Sequence, residues 1–238
     1  MRFILKFSGN IEPLTKPIND YVNGFIYKCL GENNKWHDSF SPYCISQMQG
    51  GVLDATTGLI QYPDGGYLII SVDKNETEFI TALINGLINM TGKYLQTMRY
   101  EGFSSYSLNE HDKFDITRIN CVRLMDGGKA VTCNDDNFLS LLREHTVKKL
   151  KRCGVSDNDA ESIKFEPFHK DKWKVKYVKL KNYNEYPVVT PASNIMIVVK
   201  GNRAARKKIL ALGYGQSTGC GFGFPKLKED NIKINHLK

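Results

Sequence analysis

The chain has 238 residues and a mass of 27.0 kDa, with 41% hydrophobic and 24% charged residues. This composition is typical of a folded globular protein and excludes a disordered chain, a collagen-like chain and a small disulfide scaffold. The 33 Lys and Arg residues outnumber the 25 Asp and Glu residues, so the net charge is +8. Such a charge favours a polyanionic partner, either nucleic acid or an anionic membrane surface.

Apolar stretches are too short for a membrane protein. The longest runs, such as 195–199, contain only a few residues, whereas a spanning helix needs about 20. The apolar stretch at the N-terminus is also too short for a signal peptide. We therefore expect a cytoplasmic protein with no membrane partner.

The cysteines and histidines do not form a metal-binding pattern. None of the six cysteines belongs to a C-x-x-C pair, and none of the five histidines has zinc-ligand spacing. Unpaired cytoplasmic thiols are normally reduced and partly buried. We expect no disulfide, no metal and no cofactor.

The first half of the chain alternates between strand and helix patterns. Residues 2–7 alternate as a short strand, and apolar residues between 18 and 30 recur at helical spacing. The predicted elements that follow are strand 43–48, turn 64–66, strand 67–72, helix 77–89 and strand 94–103. The resulting order, βαββαβ, is that of a ferredoxin-like module.

The second half repeats this order less regularly. Its predicted elements are strands 116–123 and 130–133, helix 137–152, strands 162–168, 173–180 and 195–200, helix 203–212, and a last strand after 221. We therefore predict an α+β protein with two tandem ferredoxin-like (βαββαβ) modules. They would comprise residues 1–110 and 111–238, with linker-like sequence around 107–115.

Positive charge is concentrated in the second half. Residues 143–208 contain 17 Lys or Arg and 7 Asp or Glu, a local excess of +10, so the rest of the chain sums to −2. The predicted polyanion-binding surface therefore belongs to the second module.

A glycine-rich segment follows this basic region. Residues 213–224 read GYGQSTGCGFGF, with five glycines in the first eleven positions. Glycines allow positive φ and close approach of the backbone, so amides there can face phosphate oxygens. The segment follows a helix and precedes a strand, unlike a dinucleotide-binding loop, and it lacks the Gly-Lys-Ser/Thr of a Walker loop. Glycines alone are equally typical of a flexible loop or bulged hairpin.

Several motifs together resemble the repeat-associated (RAMP) superfamily, in particular its CRISPR repeat-processing endoribonucleases. The matching residues are 1–6 (first strand), 24–27 (G-x-I-Y), 36–38 (x-His-acid), 43–46 (aromatic-x-x-Ser) and Gly213, Gly215, Gly221, Phe222 and Gly223 (G-x-G-(x)5-G-F-G). The resemblance covers nearly the whole chain. It implies two ferredoxin-like modules with a C-terminal glycine-rich loop.

The resemblance also implies an activity. Family members cleave CRISPR repeat RNA without metal, by attack of a ribose 2′-hydroxyl that leaves a 2′,3′-cyclic phosphate and a 5′-hydroxyl. His37 matches the family's catalytic histidine, whose imidazole titrates near neutral pH. Tyr27 matches the family's helix tyrosine, which would hydrogen-bond the nucleophile or a phosphate oxygen.

The third catalytic group differs from the family pattern. Many relatives have a lysine a few residues after the histidine, but residues 38–43 contain none. Lys35, Lys28 or the glycine-loop amides would have to supply the positive charge. The sequence therefore leaves open a slow or inactive enzyme.

The expected RNA-binding residues are the basic side chains and the loop glycines. They are Lys28, Lys148, Lys149, Lys151, Arg152, Lys172, Lys174, Lys176, Arg203, Arg206, Lys207, Lys208, Gly213, Gly215, Gly221 and Gly223. Lys172, Lys174 and Lys176 alternate, so on one strand they would share a face and follow successive phosphates. The alternative is a merely solvated face. Histidines other than His37, including His145 and His169, are expected at the surface.

The partner expected from the resemblance is CRISPR repeat RNA, either as a hairpin or single-stranded. A second hypothesis is a non-catalytic RNA-binding subunit of a CRISPR effector complex. A third is a general binder of single-stranded RNA or DNA with a ferredoxin-like fold. The sequence leaves open whether the protein forms a homodimer.

Overall fold

The structure is a computed structural model that describes residues 1–14, 18–31, 34–36, 41–108, 116–183, 186–227, 230 and 233–234. The elements of the first half are β1 (Arg2–Phe7), α1 (Ile18–Leu30), β2 (Tyr43–Ile45), β3 (Val52–Leu53), β4 (Ile60–Gln61), β5 (Gly66–Val72), α2 (Thr77–Asn89), β6 (Tyr94–Leu95) and β7 (Met98–Tyr106). Five of the strands form one antiparallel sheet in the order β2-β5-β1-β7-β6, and β3 pairs with β4.

The central strand β1 is buried on both faces. Its alternation places Phe3, Leu5 and Phe7 in the core beneath α1 and α2. Ile4 points the opposite way and packs in a separate cluster with Phe224 from the C-terminal part of the chain. The first sheet is therefore covered by its own helices on one face and by the second half on the other.

The second half repeats the arrangement with additional strands. Its elements are β8 (Ile116–Val122), β9 (Leu124–Asp126), β10 (Lys129–Val131), α3 (Phe138–Arg152), α4 (Asp157–Glu161), β11 (Lys164–Pro167), β12 (Lys174–Tyr183), β13 (Tyr186–Lys200), α5 (Arg203–Leu212) and β14 (Phe224–Lys226). The main sheet has the order β11-β13-β8-β14, and β12 extends it by pairing with β13. In both halves the order is second, third, first and fourth strand of a βαββαβ unit, which confirms the two ferredoxin-like folds.

Helix α5 shows how local sequence sets the element bounds. The Asn202 side chain accepts hydrogen bonds from the amides of Ala204 and Ala205 at 2.7 and 3.3 Å, which caps the first turn. Gly213 ends the helix with φ +72°. These two signals set the bounds of α5. Helices α1, α2 and α5 all coincide with the predicted helices.

Several strand predictions are corrected. The predicted strand 43–48 ends at Ile45, and the predicted strand 94–103 is split by Gln96 (φ 53°) into β6 and β7. The strand predicted at 195–200 begins earlier, at Tyr186. Pro187 and Pro191 obscured the strand pattern in the sequence, but the long antiparallel pairing with β12 forms the strand despite them. The module boundary at residue 110 stays a prediction, since residues 109–115 lie outside the described part of the chain.

All six cysteines are free, and Cys153 and Cys220 are only partly buried. In the described part of the chain, no helix combines the length and apolar character needed to span a membrane.

A buried ion pair connects β1 to Asp230 in the C-terminal part of the chain. The guanidinium of Arg2 and the carboxylate of Asp230 contact each other with both side chains fully buried. Arg2 also donates to the Pro225 carbonyl at 2.7 Å and lies 4.6 Å above the Phe224 ring. Tyr106 donates its hydroxyl to the same carboxylate. Such a pair is tolerated because additional hydrogen bonds replace the lost water.

Replacing Asp230 with Asn should lower the free energy of unfolding by about 3–5 kcal/mol, because the Arg2 charge would remain buried without its partner. Urea denaturation measures this change. The matched control is Glu166→Gln, which breaks the exposed 2.7 Å pair with Lys200 and should cost only about 0–1 kcal/mol. Equal losses in the two variants would contradict the role of the Arg2 pair.

Candidate nucleic-acid interface

Residues 213–223, the part of the glycine-rich segment that contains its five glycines, lie between the two halves. Gln47 of the first half donates its amide to the Gly221 carbonyl at 2.6 Å. The Gly223 amide donates to the Asn120 carbonyl of β8 at 3.1 Å. Residues 218–220 form a 3₁₀ turn that contacts α1 and β2. The segment is therefore bonded to both sheets.

The packing leaves no space for side chains at these glycines. A Cβ at Gly219 would lie 2.6 Å from the Ser41 hydroxyl oxygen, and one at Gly213 would lie 2.8 Å from the Cys44 Cβ. At Gly223, where φ is +63°, it would lie 1.7 Å from the Tyr214 carbonyl oxygen. The glycines are buried, so their main role is close packing.

This placement corrects the expectation that amides of the named glycines face phosphates. Gly213, Gly221 and Gly223 donate their amides to protein carbonyls within hydrogen-bonding distance. Gly215 is buried too, and a Cβ there would lie 2.9 Å from the Arg123 carbonyl oxygen. The segment is therefore packed against both halves of the protein.

Lys149 was predicted to bind RNA, but the structure buries its side chain. The residue is 8% exposed. Its ammonium donates to the carbonyls of Leu212, Gly213 and Gly215 at 3.3, 3.3 and 2.9 Å and to the Thr218 hydroxyl at 3.2 Å. Burial lowers the pKa of Lys149 to about 8.

A cleft of about 470 Å³ opens between α3 and the glycine-rich segment. Its lining residues are Ser41, His145, Lys148, Lys149, Arg152, Gly215, Gln216, Ser217 and Thr218. Lys148 and Arg152 are exposed and one helical turn apart on α3. Lys148 also pairs with Glu144 at 2.5 Å, with both side chains more than half exposed. The cleft therefore combines cations with hydroxyl and amide groups from both halves.

His145, expected at the surface, is half-buried in this cleft. Its Nε2 lies 3.1 Å from the Nε2 of Gln216, so an amide donor there requires the ring nitrogen to accept. Burial lowers the pKa of His145, which favours this neutral form. The missed signal was helical spacing, since His145, Lys148, Lys149 and Arg152 share one face of α3.

Tyr27 belongs to α1, the helix that contacts the 3₁₀ turn of the glycine-rich segment. It is half-buried on α1. Burial raises the pKa of Tyr43, and the nearby Tyr27 and Cys220 raise it further. Burial raises the pKa of Cys220, while the side chain of Asn23 on α1 and the charge of Arg123 oppose the shift. Tyr27 thus belongs to a cluster in which α1 meets the 3₁₀ turn.

Arg123 was not predicted as a site residue. It follows β8, and its Nη1 donates to the Ser217 hydroxyl at 3.0 Å. Its own carbonyl accepts from the Gln216 amide at 3.0 Å. Nothing in the sequence links Arg123 to residues more than 90 positions later, so only the fold reveals it.

Two other candidates for the catalytic charge, Lys35 and Lys28, do not line the cleft. Lys35 pairs with Glu78 of α2 at 2.5 Å, and Lys28 is exposed in the last turn of α1. His37 lies outside the described residues. Of its described neighbours, Trp36 packs edge-on against Phe79 at 5.2 Å, and Ser41 lines the cleft.

The remaining predicted RNA-binding cations differ in their exposure and in whether they form ion pairs. Lys151 pairs with Glu161 at 3.1 Å, and Lys208 pairs with Asp73 of the first half at 2.9 Å. Lys174 and Lys176 are exposed on β12 as predicted, but Lys172 belongs to a preceding 3₁₀ turn, so the three do not share a strand. Arg203 is exposed on α5, whereas Arg206 and Lys207 are partly buried.

Gly223→Ala should lower the free energy of unfolding by about 2–5 kcal/mol, through positive φ and overlap with a backbone carbonyl. Gly24 of α1 is the matched control, because a Cβ there would meet nothing within 4 Å. Gly24→Ala should stabilise the protein by about 0.5–1 kcal/mol. Chemical denaturation compares the two, and a neutral Gly223→Ala would contradict the packing described above.

Solved structures share the fold over nearly the whole chain. A RAMP protein described as binding different RNA substrates superimposes with a TM-score of 0.76 at 17% identity, over 95% of this chain and 99% of that one. The CRISPR-associated protein Cas6 gives 0.74 at 21% identity, over 95% and 98%. A Cas6-related protein from Pyrococcus furiosus gives 0.75 at 17% identity, over 96% and 99%.

No protein-family model matches the sequence, and no curated protein matches it. The likeness to the solved structures concerns fold, which agrees with the motifs at both ends of the chain. The chain has the tandem ferredoxin-like fold of RAMP proteins and Cas6.

Proposed function

We propose that the protein binds CRISPR repeat RNA and cleaves it without metal, by attack of a ribose 2′-hydroxyl. The observation that carries the proposal is the cleft between α3 and the glycine-rich segment. Lys148 and Arg152 supply exposed cations for phosphate oxygens, and Ser41 and Ser217 supply hydroxyl groups for the sugar-phosphate backbone. A volume of about 470 Å³ is in the usual range of ligand sites.

The shared fold supports this proposal. The RAMP protein that superimposes on the chain is described as binding different RNA substrates, and two of the other structures are Cas6 and a Cas6-related protein. The basic excess of residues 143–208 lies in the half that contributes α3, the cation-bearing wall of the cleft. Electrostatic attraction of this kind supplies most of the affinity for a nucleic-acid backbone.

The proposed reaction forms a bond from the 2′-oxygen to phosphorus and breaks the bond from phosphorus to the 5′-oxygen. A base accepts the 2′-hydroxyl proton, and an acid protonates the leaving 5′-oxygen. The products are a 2′,3′-cyclic phosphate and a 5′-hydroxyl. We assign proton transfer to His37, and orientation of the nucleophile or of a phosphate oxygen to Tyr27.

Positive charge must stabilise the phosphorane. The predicted sources were Lys35, Lys28 or the glycine-loop amides. The Lys35 ammonium is paired with Glu78, and the amides of Gly213, Gly221 and Gly223 donate to protein carbonyls.

Two observations support Arg123 as the replacement. Its Nη1 donates to the hydroxyl of Ser217, which lines the cleft, and its charge acts on the thiol of Cys220 in the 3₁₀ turn that contacts α1, the helix of Tyr27. The homodimer and the effector complex stay predictions.

His37→Ala should reduce cleavage of a repeat RNA by about 10²–10⁴-fold, because a general acid or base would be removed. Binding should change by less than about twofold, since His37 supplies no phosphate charge. Denaturing gels with EDTA measure cleavage, and filter binding measures affinity. His169→Asn is the control: its side chain is about half exposed (49%), and Asn tolerates the positive φ there.

If the wild-type protein binds repeat RNA but never cuts it, the cleavage assignment is wrong and the RNA-binding subunit hypothesis replaces it. Cleavage that disappears with EDTA would contradict metal independence.

The double variant Lys148→Ala/Arg152→Ala should bind RNA with a weaker salt dependence. The slope of log affinity against log salt is negative, and its magnitude should fall by roughly 1.4 if each side chain contacts one phosphate of a single strand. The control is Lys129→Ala with Lys164→Ala, which removes two exposed cations outside the cleft lining. An equal slope change in both double variants would show that the cleft is not the binding site.

A further inference from the structure

Lys149 is a buried cation to which the proposed chemistry gives no role. Three of its neighbours on the same face of α3, His145, Lys148 and Arg152, line the cleft with it. Lys149 alone is almost fully covered, and its Nζ lies within 3.3 Å of four oxygen atoms of residues 212–218.

The four acceptors explain how the charge is tolerated. An ammonium has three donors, so four nearby oxygens satisfy all of them and replace the water lost on burial. Two of the oxygens are carbonyls at the end of α5, from Leu212 and Gly213. A helix C-terminus has unpaired carbonyls and the negative end of its dipole, which both favour a cation. Lys149 therefore caps α5 from another helix.

The other two acceptors connect Lys149 to the cleft. Gly215 and Thr218 line it, and Thr218 accepts from the ammonium while its own hydroxyl approaches the Tyr43 carbonyl at 3.4 Å. The contacts run from α3 through the 3₁₀ turn to β2 of the first half. One ammonium thus fixes the end of α5, the cleft wall and the junction with β2 together.

We propose that Lys149 is a positioning residue that holds residues 212–218 in the shape that binds the RNA backbone, without contacting RNA itself. This proposal rests on the proposed function of the cleft. It differs from the sequence prediction, in which Lys149 supplied a phosphate contact like Lys148.

The protonation of Lys149 gives the proposal a pH dependence. Burial lowers the pKa from 10.5 to about 8, while the thiols of Cys44 and Cys153 oppose the shift. His145, Lys148 and Arg152 lie on the same face of α3 as Lys149, and burial lowers the pKa of His145. Above pH 8 the neutral amine keeps two N–H donors for four acceptors, so the segment should loosen and RNA binding should weaken.

A loss of protein stability would not explain weaker RNA binding above pH 8. Between pH 8 and 10.5 the unfolded state holds the proton on Lys149 and the folded state does not. The free energy of unfolding contributed by this group therefore rises with pH over that interval. Weaker RNA binding above pH 8 would therefore not reflect unfolding, and the salt slope separates a change in the shape of the cleft from the loss of one phosphate contact.

The test compares Lys149→Met with Lys148→Met, two variants that each remove one charge from α3. Lys149→Met should weaken binding of a repeat RNA by about tenfold or more, since small misplacements of positioned groups have large effects. Its salt slope should equal that of the wild type, and its affinity should no longer change between pH 7 and 9. Lys148→Met should lower the slope by roughly 0.7 and keep the pH dependence.

If Lys149→Met reduced the salt slope as much as Lys148→Met does, Lys149 would itself contact a phosphate and the proposal would be overturned. Unchanged affinity in Lys149→Met, or wild-type affinity independent of pH from 7 to 9, would also overturn it. If Lys149→Met does not fold, Thr218→Val removes one acceptor and the link to Tyr43. That variant should bind more weakly with an unchanged slope, and normal binding would count against the proposal.

Hydrogen exchange separates this proposal from the proposed function. Faster amide exchange in residues 213–219 of free Lys149→Met would show that the ammonium holds the segment. If the wild-type protein binds no repeat RNA, the proposed function fails even when this exchange result is positive. Unchanged exchange would overturn the positioning role while leaving RNA binding by the cleft intact.

Discussion

The close packing of residues 213–223 between two sheets is the constraint on which the site depends. Side chains at Gly213, Gly219 or Gly223 would collide with neighbouring atoms, so the segment follows one path. That path brings Ser217 and Thr218 beside α3 and places the 3₁₀ turn against α1 and β2. The same short segment thus lines the cleft and contacts α1, the helix of Tyr27. The Arg2–Asp230 pair holds the end of the chain that follows.

The fold was largely predictable because hydrophobic spacing is local. Helices α1, α2 and α5 have the predicted bounds, and the repeated βαββαβ order predicted both sheets. The errors occur where long-range pairing overrides local signals. Pro187 and Pro191 obscured the first half of β13, which its partner β12 stabilises. Likewise, the hairpin of β3 and β4 has strands of two residues each, too short for an alternation pattern.

The residue types that line the cleft were partly predictable from the sequence, but their geometry was not. Sequence identified the glycine-rich segment and the cations of α3, yet charge patterns do not distinguish exposed Lys148 from buried Lys149. That difference arises from carbonyls of residues more than 60 positions away. His145 could have been found from helical spacing with the cations. Arg123 could not, because its partner Ser217 is 94 positions distant.

The central claim is that RNA crosses the junction between α3 and the glycine-rich segment. Photo-crosslinking answers this most directly, with a non-cleavable repeat RNA that carries a reactive base next to the scissile phosphate. Mass spectrometry should find the crosslinks on residues 213–219, on α3 and on the segment 36–43. Crosslinks confined to α2 or to the hairpin of β3 and β4, both outside the cleft lining, would contradict the account.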